Sequence, residues 1–369
     1  MYRRALISSR PTDLFATMPY LFRLMSLLAN LTIWFIVAQD TAANPHMWVI
    51  GKTLRVLQVQ AKRPHQEPPV VSTLAIRPAG KTLAFAGDDH DIHLWDISTG
   101  ELVGRLRGHQ DWVRCLTFSS DGKTLFSGGD DGQVLQWPVT ASADKQRPRI
   151  ILQLDRAVTA IQMAPSGKHL AVLAFREPLR IVPMNGENVL QQFDCPCGDM
   201  RAVAFMPSGD YIVAAGGNGV LRMWSFPEGL HTWDVKAHRQ RIRSVTFSAD
   251  GKLLFSGGDD RQLRVSNTED GRLKHALATD RSKVVALSVI NREQVAVGGS
   301  DNDVQIWNIK HGRREGTLRG HSGTVTSLQT SGEWILSGSF DTTVRIWRLD
   351  RMRYESQAER DRYTKPSVR

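Results

Sequence analysis

Three sets of side chains carry the types that nucleophilic catalysis uses: His109 with Ser127 and Asp131, His238 with Ser256 and Asp260, and His321 with Ser337 and Asp341. A His that takes the proton of a Ser while an Asp orients the ring is the constellation of acyl transfer. The sets recur at nearly one spacing, however, with Ser 16 to 18 and Asp 20 to 22 residues after the His. Catalytic groups converge once, whereas groups repeated once per structural unit read as scaffold. Gly-Lys-Thr triplets at residues 51–53, 80–82 and 122–124 suggest phosphate loops, but the Gly such a loop needs five positions earlier is replaced by His46, Ala75 and Thr117. Cys195-Pro196-Cys197 could offer paired thiolates to a soft metal, yet its spacing is shorter than zinc sites use and two further ligands are missing. It reads as free or oxidised surface thiols. The acidic turns Gly87-Asp88-Asp89-His90-Asp91 and Gly129-Asp130-Asp131 lack the spacing and terminal Glu of an EF-hand. No Gly-x-Ser-x-Gly elbow, His-Glu-x-x-His helix or kinase signature is present. No cofactor or metal is expected.

The elements that position these residues follow one period. Trp95, Trp137, Trp224, Trp307 and Trp347 each end a short β-type run, and degenerate copies ending at Val182 and Ser266 fill the gaps. The successive spacings are 42, 45, 42, 42, 41 and 40 residues. Six residues before each anchor stands a turn residue: Asp89, Asp131, Arg176, Asn218, Asp260, Asp301 or Asp341. Further upstream, turns such as Ser120-Asp121-Gly122-Lys123 and Pro207-Ser208-Gly209-Asp210 separate two alternating apolar runs, where Gly permits the positive φ of a tight hairpin. Each unit reads as four strands, and self-similarity at this period marks a repeat architecture.

The pattern resembles the WD-repeat family of β-propellers over residues 52–349. Gly108-His109, Ala237-His238 and Gly320-His321 match the Gly-His element of the family, and Trp95-Asp96 is a literal Trp-Asp pair. The resemblance implies that His, a strand Ser, the turn Asp and Trp form a buried hydrogen-bond chain within a blade, which rigidifies when every member is satisfied. Two blades carry all four: His109, Ser127, Asp131 and Trp137 in blade 2, and His321, Ser337, Asp341 and Trp347 in blade 7. Blade 5 has Ser266 where the Trp belongs, and blade 3 retains none of the four. The resemblance also puts Cys115 on a core-facing strand position. After Trp347 the last unit lacks its outer strand, while Lys52 to Val59 looks like the outer strands elsewhere. The expected fold is therefore all-β, a seven-bladed propeller closed by an N-terminal strand, because closure removes open sheet edges.

Chemistry not absorbed by the scaffold lies at the rim beside the turn-Asp loops. Register points Trp112 and Arg114, Asp199 and Arg201, Arg241 and Arg243, and Lys283 to that side, joined by Asp88, Asp130, Asp259, Phe175 and Phe340 from the turns. Arg and Trp are enriched at interface hot spots because each offers a large contact area and directional donors. Two readings stay open: the Arg residues pair with adjacent Asp residues on a solvated face, or they receive an acidic peptide or protein segment.

The net charge of +10, from 47 Lys and Arg against 37 Asp and Glu, is spread over both ends and the middle of the chain, which argues against a nucleic-acid partner. Residues 1–43 read as a signal peptide or membrane anchor, since the uncharged run 24–38 follows an Arg-bearing stretch and Thr41-Ala42-Ala43 offers a cleavage site before Asn44. Translation from Met18 would give a more compact signal, and an organellar transit segment is the other alternative. Membrane contact is expected only through residues 24–38, if they are retained. Residues 350–369 form a flexible tail of mixed basic and acidic character. The function expected is a non-enzymatic scaffold, exported to the periplasm or cell exterior, that docks a partner on the rim. The alternatives are an extracytoplasmic enzyme using the central funnel and a cytosolic adaptor with a misplaced start.

Overall fold

In a computed structural model the described residues are 51–58, 67–78, 80–139, 147–186 and 191–349. They lie within the compact unit Trp48–Arg353 and form seven four-stranded antiparallel sheets. Six sheets each come from one continuous stretch: 71–107, 113–153, 158–193, 200–236, 242–278 and 284–318, which are blades 1 to 6. Blade 7 takes three strands from residues 325–349 and its outer strand from Gly51–Gln58. That N-terminal strand runs antiparallel to Thr343–Leu349, from Gly51 opposite Leu349 to Gln58 opposite Thr343. The ring is therefore closed by hydrogen bonds between the two ends of the repeat array, leaving no open edge at the junction. The chain is an all-β, seven-bladed propeller. Residues 1–50 and 350–369, with the hydrophobic run and the tail expected there, lie outside the described residues.

The repeat dictates the layering. The second strand of each blade, Thr124–Gly129 for example, is buried at nearly every position because it is covered by a neighbouring blade on each face. The outer strands alternate or are exposed, as in His231–Lys236. Apolar clusters run across the seams: one joins Leu336, Val344 and Ile346 of blade 7 to Val71, Leu74 and Phe85 of blade 1. At Gly257 and Gly338 the backbone comes so near the following blade that a Cβ would lie 2.1 Å from Val284 and 2.6 Å from Val71. Glycine there allows the close approach. Cys115 is buried, and burial pushes its thiol up. Cys195 and Cys197 are joined to each other, with Cys197 packed among Phe193, Met200 and Trp224 rather than exposed on the surface.

Each inner strand breaks its ladder after one pair. Val113 faces Gly129 and Cys115 faces Gly128, so Arg114 is an extra residue without an opposite number. The same bulge isolates Ser72, Thr159, Arg201, Arg243, Val285 and Thr326 in the other blades. A bulge re-aims the side chain it carries. Seven bulges at one register place seven side chains around the end of the ring that bears the turn-Asp loops.

Candidate functional site

The His, Ser and Asp sets are closed hydrogen-bond chains inside blades. His109 Nδ1 is 2.8 Å from Asp131 Oδ2 and its Nε2 is 2.7 Å from Ser127 Oγ, to which Trp137 Nε1 donates at 2.8 Å. Blade 7 repeats the chain with His321, Asp341, Ser337 and Trp347 at 2.8, 2.7 and 2.8 Å. In blade 5, His238 contacts Asp260 at 2.9 Å and Ser256 at 2.8 Å, and the chain ends there. Both Ser oxygens in blades 2 and 7 are buried and engaged by His and Trp, with none of their surface turned to a substrate. Blade 6 builds a relay that no sequence motif announces: Ser282 Oγ and Gln305 Nε2 donate to Asp301, and Trp307 Nε1 donates to Gln305 Oε1 at 3.0 Å. Blade 1 brings His93 Nε2 within 3.0 Å of Asp89. In blade 4 the turn residue Asn218 holds the Cys-bearing loop through the Pro196 carbonyl at 2.5 Å.

The bulge ring divides by side-chain type. Ser72, Thr159 and Thr326 turn their hydroxyls to the next blade, reaching the carbonyls of Val113, Met200 and Val71. Arg114, Arg201 and Arg243 are too long for that role and reach across the exposed face instead. Together with the turn residues Asp130, Phe175 and Phe340, most of the ring surrounds an open concavity of about 490 Å³ at the mouth of the channel. Among the described residues lining it, Asp130 is the carboxylate and there is no His. Of the residues expected at the rim, Arg114, Asp130, Phe175, Arg201 and Phe340 meet in this concavity, with Phe340 46% exposed. Trp112 lies beneath Arg114, whose guanidinium sits 4.5 Å from the indole centroid. Arg241, Arg243 and Lys283 stand outside it, on the flanking blades 5 and 6.

Arg114, Arg201 and Arg243 are matched by acids. Arg114 Nε lies 2.9 Å from both Asp130 oxygens, Arg201 Nε donates to Asp199 at 2.7 Å, and Arg243 Nε donates to Asp259 at 2.5 Å. Arg241 approaches the same Asp199 at 4.0 Å. A guanidinium has five N–H donors, so each paired Arg keeps donors for another acceptor. Two atoms at this point are buried without hydrogen-bond partners, Arg241 Nε and Asp199 Oδ1. Aromatic faces complete the surface: Arg201 and Arg176 lie over the Phe175 ring, 5.3 and 5.1 Å from its centroid. Arg176 takes a positive φ of 58°, whereas the other turns place the left-handed residue one position later. Pro178 explains the shift, since the residue before a proline is biased to extended backbone.

Five stretches match the family described as WD domain, G-beta repeat: residues 53–96, 100–138, 187–225, 229–266 and 312–348. They cover more than half of the chain. The chain belongs to the WD-repeat family. The unmatched stretches cover most of blade 3, which has none of the four network residues, and most of blade 6, which keeps the turn Asp301 and Trp307 but links them through Gln305 and Ser282 in place of the Ser and His. This WD-repeat protein is 26% identical over 304 residues to nuclear distribution protein PAC1-2 of Uncinocarpus reesii, covering 76% of this chain and 59% of that relative. It is 25% identical over 305 residues to nuclear distribution protein nudF of Emericella nidulans, with 76% and 59% covered. Against human apoptotic protease-activating factor 1 it is 24% identical over 281 residues, 74% of this chain and 21% of that one. The chain thus spans somewhat over half the length of the nuclear distribution relatives. These relatives correct the expected localisation. Proteins named for nuclear distribution align with three quarters of the chain, so export, with or without an anchor, is withdrawn. Among the described residues no helix is long and apolar enough to cross a membrane.

Proposed function

We propose that this WD-repeat propeller is a non-enzymatic scaffold that docks a protein partner through an extended segment laid across the channel mouth. The observation that carries the reading is the bulge ring, which brings Arg114 and Arg201 together with Phe175 and Phe340 around one open concavity. Aromatic and guanidinium groups at the centre of a depression are the composition of an interface hot spot. The segment carries acidic residues. Its carboxylates take the donors that the Arg–Asp pairs leave free. Similarity to nuclear distribution proteins supports a scaffold role.

The test is capture of partners from native extract by the full chain, with identification by mass spectrometry. The double variant Arg114→Glu/Arg201→Glu should lose the partner, while the outer-strand control Lys274→Glu keeps it and both melt as the unaltered protein does. Binding should also weaken as salt rises. Unchanged capture by the double variant would remove this face from consideration.

A further inference from the structure

On the end of the ring away from the turn-Asp loops, a second cleft of about 530 Å³ opens at the seam between blades 7 and 1. It is lined mainly by apolar side chains, among them Leu54, Ile76, Ile97, Trp334 and Ile346. Leu54 is 44% and Trp334 39% exposed, although both border an apolar wall that a soluble surface would normally cover. The closing strand supplies Arg55 to this cleft. Its side chain crosses the seam to lie against Gly100, where a Cβ would meet Arg55 Nη1 at 2.3 Å. That Nη1 is buried and has no acceptor.

Another seam shows what this position does when it is satisfied. Arg55 stands opposite Ile346, and Trp233 stands opposite Met223 at the same place in blade 4. Trp233 lies against Gly271 as Arg55 lies against Gly100. The indole Nε1 donates to the Thr268 carbonyl at 3.0 Å, so its polar atom is paired within the protein. A guanidinium is longer and charged, and here one of its buried donors meets no oxygen. A buried cationic donor without an acceptor is costly, and a carboxylate is the group that satisfies it best. Lys81 borders the same cleft and adds positive potential. The nearby Asp96 turns its Oδ1 to Ser98 and Thr99 of its own turn.

We infer that the cleft between blades 7 and 1 is a second docking site, which takes a partner peptide carrying an Asp or Glu beside a large apolar side chain. The apolar group fills the space between Leu54, Ile97 and Trp334, and the carboxylate pairs with the Arg55 guanidinium. The site is independent of the rim, being built from the opposite ends of different strands.

The experiment selects binders to the full chain from a random peptide library and titrates the selected peptides, labelled with fluorescein, against variants. Enriched peptides should place Asp or Glu within a few residues of Leu, Phe or Trp. Their affinity should fall at least tenfold in Arg55→Met, which removes the charge, and in Ser331→Trp, which fills the cleft from an exposed position. The rim variant Arg243→Glu should bind them unchanged, and melting curves should show that each variant is folded. Enrichment without the acidic and apolar pairing overturns the inference, as does affinity that survives either cleft variant. Concentration-dependent dimerisation of the unaltered chain that Ser331→Trp abolishes also overturns it, assigning the cleft to a second copy.

Discussion

Thr326 Oγ1 donates to the Val71 carbonyl at 2.6 Å, tying the inner strand of the last blade to that of the first across 255 residues of sequence. Ser72 makes the corresponding bond to Val113 and Thr159 to Met200. One bulge position therefore does two jobs, stapling a seam where it holds a hydroxyl and presenting charge where it holds Arg.

Removing the staple without changing side-chain shape should isolate its contribution. Thr326→Val is expected to cost about 1 kcal/mol, the net worth of an ordinary hydrogen bond, because the two blades remain packed through Val71 and Leu74. Denaturant titration reads this directly. A midpoint unchanged from that of the unaltered chain would show that the bond is incidental.

The outer strand of blade 7 comes from the N-terminal side of the array, so its loss cannot be made good locally. A chain beginning at Pro64 should melt at lower temperature or aggregate, since the strand Thr343–Leu349 would become an unpaired edge. Melting identical to that of the full chain would mean that another segment covers this edge.

Two acidic residues at neighbouring turn positions should differ sharply. Asp341 accepts from His321, from the Ser322 and Thr343 N–H groups and from the Thr343 hydroxyl, at 2.6 to 3.0 Å. Asp303 faces Arg319 at 3.5 Å on the surface side of its turn. Asp341→Ala removes the acceptor of the buried His321 ring and of the half-buried Thr343 donors and should cost about 3 kcal/mol, whereas Asp303→Ala should stay within about 0.5 kcal/mol. Equal effects in thermal unfolding would contradict the structural role of the chain in blade 7.

Acid should destabilise the ring in two steps. Burial pushes the His238 imidazolium down, and Asp260 only partly offsets it, so the folded state holds this ring neutral below the ordinary value of 6.5. The unfolded chain takes up that proton first, so stability present at neutral pH starts to fall as pH drops through about 6.5. For Asp341 and Asp131, burial alone would raise the carboxyl, but hydrogen bonds from His321 and Thr343 in one case and His109 and the Gln110 N–H in the other hold it below 3.8. Their contribution is complete above that value and is lost below it as the unfolded state protonates. Unfolding free energy measured across pH should show both declines, and His238→Gln should weaken the first alone.

The period of Trp anchors and turn residues was legible because it is local: each strand and turn is specified within one unit of about 42 residues. The seven blades follow from it. Closure was legible from counting strands, since one unit lacked a partner that the segment after Gly51 could supply. The four-residue chains of blades 2 and 7 also lie within single units. The relay of blade 6 is not legible in the sequence because Gln305 and Ser282 stand where the family pattern has other residues, and only their distances reveal the connection.

What the sequence determined by itself is the intra-blade order: alternating burial, turn chemistry and the repeat that multiplies them into an all-β ring. The tertiary structure decided everything that depends on neighbouring blades. It set which bulge residues staple a seam and which face outward, that Arg201 and Arg241 both lean on Asp199, and that Arg55 is buried against Gly100 with a donor unfilled. The physical reason is range. A strand and its hairpin partner are separated by a few residues, so their pairing leaves a periodic trace. Contacts across a seam join side chains some 40 residues apart or at opposite ends of the array, and hydrogen bonds change from made to absent within less than 1 Å.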